Sequence, residues 1–225
     1  MERPRSIAFD TRAAVTRSLL GWGVVAGPFY LLVGVVHALL KPGFDFSRHP
    51  LSLLMLTDTG WIHRANLILT GLMVIAAAVG LGRAAMPGTR ARVLTVLVAV
   101  FGVGMIGSGI FPPDPLAGFP PGAEATASVS GILHLLLGAI GFLCLGAAAI
   151  VFSRWARARG AGIAATLSLI AGIVVILGFV GGGALGALPI GVVALWAAVV
   201  AGFAWLLGAC LFAYRTVPHP NGTGR

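Results

Sequence analysis

Histidine and aspartate side chains are concentrated in one half of this sequence. Four of the five histidines and four of the six acidic residues lie between residues 37 and 134. Imidazole and carboxylate groups ligate metals, transfer protons and recognise polar ligands. The candidate site residues are His37, Asp45, Arg48, His49, Asp58, His63, Arg64, Asn66, Asp114 and His134.

Helical spacing places several of these residues on shared faces. His63 and Asn66 are three residues apart in one apolar segment, and Ser130 and His134 are four apart in another. Residues at these spacings lie on one face of an α-helix. His37, His63 and His134 each lie near one end of an apolar segment, which predicts a similar depth for the three imidazoles. The order of the helices decides whether they meet.

The composition requires these segments to lie in a membrane. Of 225 residues, 58% are hydrophobic and 9% are charged, and the mean hydropathy is +1.01. Soluble domains carry about 25% charged residues. A soluble enzyme, a disordered tail and a disulfide scaffold are therefore excluded. The fifteen basic residues lie in short groups between apolar segments, which argues against a nucleic-acid partner.

Six apolar segments are long enough to span a bilayer, which takes about 20 residues in a helix. The sequence therefore predicts an all-α, polytopic integral membrane protein with a six-helix bundle. Glycines in the third and fourth segments indicate close helix contacts there. The predicted spans are residues 19–40, 61–81, 93–111, 129–152, 163–180 and 190–214. Residues 1–18 and 215–225 are predicted to be cytoplasmic.

Basic residues also predict the orientation of the helices. With the N-terminus inside the cell, twelve of the fifteen basic residues fall on the cytoplasmic side. Loops rich in Lys and Arg stay in the cytoplasm, so we expect both termini inside. The preference for Arg over Lys and the abundance of Ala and Gly indicate a bacterial source. The expected location is the bacterial inner membrane.

Clustering of the candidate residues near one membrane face predicts an outward-facing polar pocket within the first four helices. Polar groups at membrane depth are costly and mark functional sites. We expect the pocket to bind a lipid-like or small amphipathic ligand, or a membrane-protein partner, rather than to catalyse a reaction. No cofactor is expected. The oligomeric state is left open.

Three other interpretations of the polar residues stay open. In one alternative, the histidines serve as hydrogen-bonded anchors for the loops. A metal-dependent lipid hydrolase would hold zinc on His37, His63 and His134, although no ligand pair has a diagnostic spacing. A small-solute or proton-coupled transporter would need ionisable residues in the inner halves of the helices, and these halves contain none apart from arginines at the loop borders.

Four stretches of the chain resemble the bacterial six-span membrane proteins of domain-of-unknown-function family 998 (DUF998). The resemblance covers residues 20 to 140 and implies a six-helix membrane fold without implying an activity. The segment 56–61 is also faintly similar to the Frag1/DRAM/Sfk1 membrane proteins. The stretches are the first helix ending in His37, the run Arg48-His49-Pro50-Leu51-Ser52-Leu53-Leu54, the segment from Gly60 to Gly71, and Ile110-Phe111-Pro112-Pro113-Asp114-Pro115 followed by His134.

Overall fold

The computed structural model describes residues 9–85, 88–186 and 188–221. Six helices are long and apolar enough to cross a membrane, which confirms the predicted all-α architecture. They are α1 (Thr11–Leu39), α2 (Gly60–Ala84), α3 (Thr89–Ile110), α4 (Val129–Ala158), α5 (Gly162–Ala184) and α6 (Pro189–Thr216). A short 3₁₀ helix, Leu51–Leu56, lies between α1 and α2.

Several helices begin at residues that satisfy their free backbone N–H groups. The Asp10 side chain accepts a hydrogen bond from the Ala13 N–H, so α1 begins well before the apolar span. The Ser128 side chain caps α4 in the same way through Gly131. Helix α6 begins with Pro189, which has no N–H to satisfy. Local capping therefore sets these helix starts, and the helices extend beyond the apolar stretches.

The six helices form a closed ring in chain order. Each helix packs on the next one, and α6 returns to pack on α1. Helix α6 also touches α2 and α4, so it lies toward the middle of the bundle. We call the end of the bundle that carries residues 40–59 and 111–128 the loop end. The opposite end carries the start of α1 and the end of α6.

Glycines bring neighbouring helix backbones into direct contact. A Cβ on Gly71 of α2 would lie 2.6 Å from the Gly102 carbonyl oxygen of α3, and a Cβ on Gly102 would lie 2.7 Å from the Gly71 oxygen. Gly146 of α4 and Gly172 of α5 form the same reciprocal contact. Close backbone approach of this kind stabilises helix pairs in lipid, where no hydrophobic force drives association.

The two halves of the bundle are packed differently. Away from the loop end, large side chains such as Leu145, Phe152 and Leu206 are fully buried between α4 and α6. Toward the loop end, by contrast, α4 has no buried residue between Gly131 and Gly141. The inward face of α4 is incompletely covered there because a cavity lies behind it.

Candidate functional site

A cavity of about 610 Å³ lies inside the loop-end half of the bundle. All six helices and the 3₁₀ helix contribute to its wall, and most of the lining is apolar. Aromatic rings form much of this surface. Phe142 stacks on Phe179 with ring centroids 4.8 Å apart, and Phe101 lies edge-on to Phe142 at 5.1 Å. Tyr30 and Trp196 line the same space.

Ser108 and His134 form the polar part of the cavity wall between α3 and α4. The Ser108 hydroxyl donates to the His134 carbonyl oxygen at 3.2 Å. His134 Nδ1 lies 2.9 Å from the carbonyl oxygens of both Ser108 and Phe111. Because carbonyl oxygens only accept hydrogen bonds, Nδ1 carries the proton. In the neutral ring, Nε2 is then left with a free lone pair.

Asp114 lies at the loop end of the same wall. Its Oδ2 accepts a hydrogen bond from the Ser128 N–H at 3.0 Å. Hydrogen bonds from the side chain and the backbone of Ser128 hold the pKa of the Asp114 carboxyl below its usual value. The carboxylate is therefore ionised at neutral pH, and it contributes one negative charge to the lining of the cavity.

These three polar side chains follow the inward face of α4. The Asp114 carboxylate packs against Gly131, and a Cβ on Gly138 would lie 3.7 Å from Ser108 Oγ. His134 lies between these two glycines in the sequence. Seven residues of α-helix span about 10 Å. Asp114, His134 and Ser108 thus form a row along about two turns, which we call the polar ladder.

His49 is buried outside the cavity and joins the two long loops. Its Nδ1 accepts a hydrogen bond from the Asp45 N–H at 2.9 Å, and its Nε2 lies 3.3 Å from the Ala117 oxygen. Its ring packs against Phe44 and Phe119. Both ring nitrogens are therefore engaged, and the geometry of this histidine is that of a loop anchor.

His37, His63 and Asn66 lie on the α1–α2 side of the bundle and do not line the cavity. His37 Nε2 lies 2.9 Å from Thr59 Oγ1. Asn66 donates to the Tyr30 carbonyl oxygen at 3.0 Å. His63 is completely buried, with its ring 5.8 Å from the Tyr30 ring. Neither nitrogen of His63 has a partner among the described residues.

The remaining candidate residues lie in or next to the first long loop. Hydrogen bonds from Ser47 lower the pKa of the Asp45 carboxyl. The hydrogen bond from Lys41 lowers the pKa of the Asp58 carboxyl, and the two side chains form an ion pair. Arg48 is exposed and Arg64 is half-buried. None of these side chains lines the cavity.

The described residues contain no group of three His, Cys, Asp or Glu side chains that could hold a metal ion. His134 lines the cavity, whereas His37 and His63 do not. The zinc hypothesis on these histidines stays a prediction, with no preformed set of three ligands to support it.

Of the ten candidate residues, Asp114 and His134 line the cavity. The cavity is also built from all six helices instead of the first four. Sequence reasoning did not assign the aromatic lining, because Phe and Trp at helical spacing are typical of any buried face. One feature of the sequence pointed to Tyr30, because helical spacing places it on the same helix face as His37.

The six apolar helices define a multi-pass membrane protein with an internal, mostly apolar cavity. The chain belongs to the family described as "Protein of unknown function (DUF998)", whose model matches residues 24–212. This match confirms the resemblance seen in the sequence and extends it through α5 and α6. No curated protein and no solved structure matches the chain.

Proposed function

We propose that this protein binds a long-chain membrane amphiphile in the loop-end cavity. The observation that carries the proposal is the cavity itself, with about 610 Å³ of mostly apolar space and a polar ladder on one wall. Small-molecule sites in proteins enclose about 300–1,000 Å³ and combine apolar walls with a few polar groups. The size and lining of this cavity are those of such a site.

The bilayer determines which contacts can give affinity. A lipid chain gains no hydrophobic free energy when it moves from the membrane into an apolar cavity, because both surroundings exclude water. Affinity must come from dispersion contacts with the aromatic wall and from hydrogen bonds to the polar ladder. A ligand with one long chain and one polar end satisfies both requirements.

The proposed orientation has both termini in the cytoplasm, and the proposed location is the bacterial inner membrane. The basic residues near the ends of the helices support this orientation. The cavity would then lie in the outer half of the bilayer. An amphiphile from the outer leaflet would enter it near the loop end, where lining residues such as Thr126 and Ala184 are exposed.

Gly138 provides a direct test of this proposal. A side chain at this position would extend toward Phe179 and Ser108, at ordinary contact distance for its Cβ. Gly138→Leu therefore fills part of the cavity. Gly208→Leu is the matched control, because Gly208 is exposed in α6 and a Cβ there meets nothing within 4 Å.

We expect native mass spectrometry of the detergent-purified protein to show a bound amphiphile in the wild type and in Gly208→Leu. The adduct should be lost from Gly138→Leu at equal protein yield. An adduct retained by Gly138→Leu, or absent from all three proteins after incubation with bacterial lipid extract, would contradict binding in this cavity.

A further inference from the structure

We propose that the amphiphile bound in this cavity carries a protonated amine as its polar end. This inference rests on the proposed function and specifies the ligand further. The hydrogen-bonding state of the polar ladder carries it: in their resting arrangement, Asp114, His134 and Ser108 offer the cavity acceptors and no donor.

In each residue of the polar ladder, the hydrogen-bond donor is already engaged or does not exist. The single hydroxyl proton of Ser108 is donated to the His134 carbonyl, which leaves only oxygen lone pairs. The Nδ1 proton of His134 is directed at two carbonyl oxygens, which leaves the Nε2 lone pair. The Asp114 carboxylate only accepts, and its Oδ1 has no partner among the described residues.

Charge favours the same class of ligand. Asp114 carries a negative charge, and none of the described residues that line the cavity is Lys or Arg. The nearest ammonium group of the first loop, on Lys41, is paired with Asp58. A phosphate or carboxylate head group would find no cation in this lining, and it would be repelled by Asp114.

Helix N-termini, the other common anion sites, are also occupied here. At the start of α4, Asp114 accepts the N–H of the capping residue Ser128, and the Ser128 hydroxyl oxygen accepts the Gly131 N–H. Helix α6 begins with Pro189, which has no N–H, and the Gly191 N–H donates to the Leu188 oxygen. The described lining therefore offers an anion no cationic side chain, and the Asp114 carboxylate already lies at the start of α4.

An ammonium group complements this arrangement. It has three N–H donors and no acceptor, and its hydrogen bond to a carboxylate is charge-assisted and stronger than a neutral one. An alcohol of equal chain length offers one donor and no charge. A fatty acid offers a negative charge next to Asp114. The expected order of affinity is amine, then alcohol, then carboxylate.

The test compares three ligands that share one chain. Purified protein in nanodiscs is labelled with a radioactive hexadecanol that carries a diazirine at mid-chain. Hexadecylamine, hexadecanol and hexadecanoate then compete with this photoprobe at neutral pH. The comparison is repeated in Asp114→Asn, which keeps an oxygen for the Ser128 N–H but removes the charge. Asp45→Asn is the matched control, because Asp45 is a hydrogen-bonded loop carboxylate outside the cavity.

In the wild type, we expect hexadecylamine to compete at roughly 10-fold lower concentration than hexadecanol, since a hydrogen bond to a charged group is stronger than a neutral one. Hexadecanoate should compete most weakly. Asp114→Asn should remove the preference for the amine while the photoprobe still labels the protein, and Asp45→Asn should retain that preference.

Two results overturn the inference in distinguishable ways. Saturable labelling with equal competition by all three ligands, or with hexadecanoate as the strongest competitor, rejects the amine and leaves binding in the cavity intact. Labelling that is not saturable, or that Gly138→Leu does not reduce, rejects the cavity as a binding site and the proposed function with it.

Discussion

At the scale of single residues, burial alone does not show what a histidine does. His49 and His63 are both buried. His49 has a partner for each ring nitrogen, whereas His63 has none among the described residues. A buried polar group without a partner costs free energy, while a satisfied one contributes to stability. The two histidines should therefore respond differently to the same substitution.

We expect His49→Leu to lower the melting temperature and His63→Leu to leave it unchanged or raise it. His49→Leu leaves the Asp45 N–H and the Ala117 oxygen without their partner, at a cost of about 1–3 kcal/mol. His63→Leu replaces an unsatisfied ring by an apolar side chain of similar volume. Thermal unfolding in detergent, followed by circular dichroism, measures both. Equal destabilisation of the two variants would contradict the conclusion that His49 has hydrogen-bond partners and His63 has none within the described part of the chain.

At this scale, the sequence singled out two of the residues that line the cavity. Asp114 and His134 could be predicted because polar residues next to an apolar helix end are few and costly to bury. The role of His49 could not be predicted, because one of its partners, Ala117, lies 68 residues away in the chain. A hydrogen bond between two loops leaves no recognisable pattern in the sequence of either loop.

At the scale of helices, apolar length and glycine content were sufficient to predict the elements. All six spans predicted from hydropathy lie within observed helices or end within one or two residues of them. The helix ends were harder to predict, because Asp10 caps α1 well before its apolar stretch and α4 continues past its apolar stretch to Ala158. Glycines predicted close packing, although the sequence did not pair them across helices.

We expect Gly172→Ala to destabilise the contact between α4 and α5. Its Cβ would lie 2.7 Å from the Gly146 carbonyl oxygen, so the two backbones must separate. Overpacking of this kind costs about 1–3 kcal/mol. Gly208→Ala, on an open surface of α6, should instead stabilise the protein slightly, because Ala favours a helix over Gly by about 1 kcal/mol. Melting temperatures that rise in both variants would contradict the close contact.

At the scale of the whole molecule, the order of the helices determines which residues meet. The ring arrangement places His63 between α1, α2 and the 3₁₀ helix, outside the lining of the cavity, to which all six helices contribute. The sequence could not predict which of the polar residues line the cavity, because it does not reveal the order of the helices.

The proposed orientation makes a prediction for intact cells. In a protein whose native Cys144 and Cys210 are replaced by Ala, we expect a membrane-impermeant maleimide to label Ser47→Cys and not Ala158→Cys. Both positions are exposed, the first in a loop of the loop end and the second at the opposite end of α4. Labelling of Ala158→Cys alone would indicate the opposite orientation, with the loop end in the cytoplasm. Labelling of both only after lysis would contradict an outward-facing loop end.

The most direct test of ligand binding uses Trp196, which lines the cavity. In a protein with Trp196 as its sole tryptophan, we expect mid-chain brominated hexadecanol to quench the fluorescence saturably, and Gly138→Leu to abolish this quenching. A protein with Trp205 as its sole tryptophan is the control, because Trp205 is buried against Phe152 outside the cavity and should not be quenched. Quenching of Trp196 that rises without saturation, or that Gly138→Leu leaves unchanged, would contradict binding in the cavity.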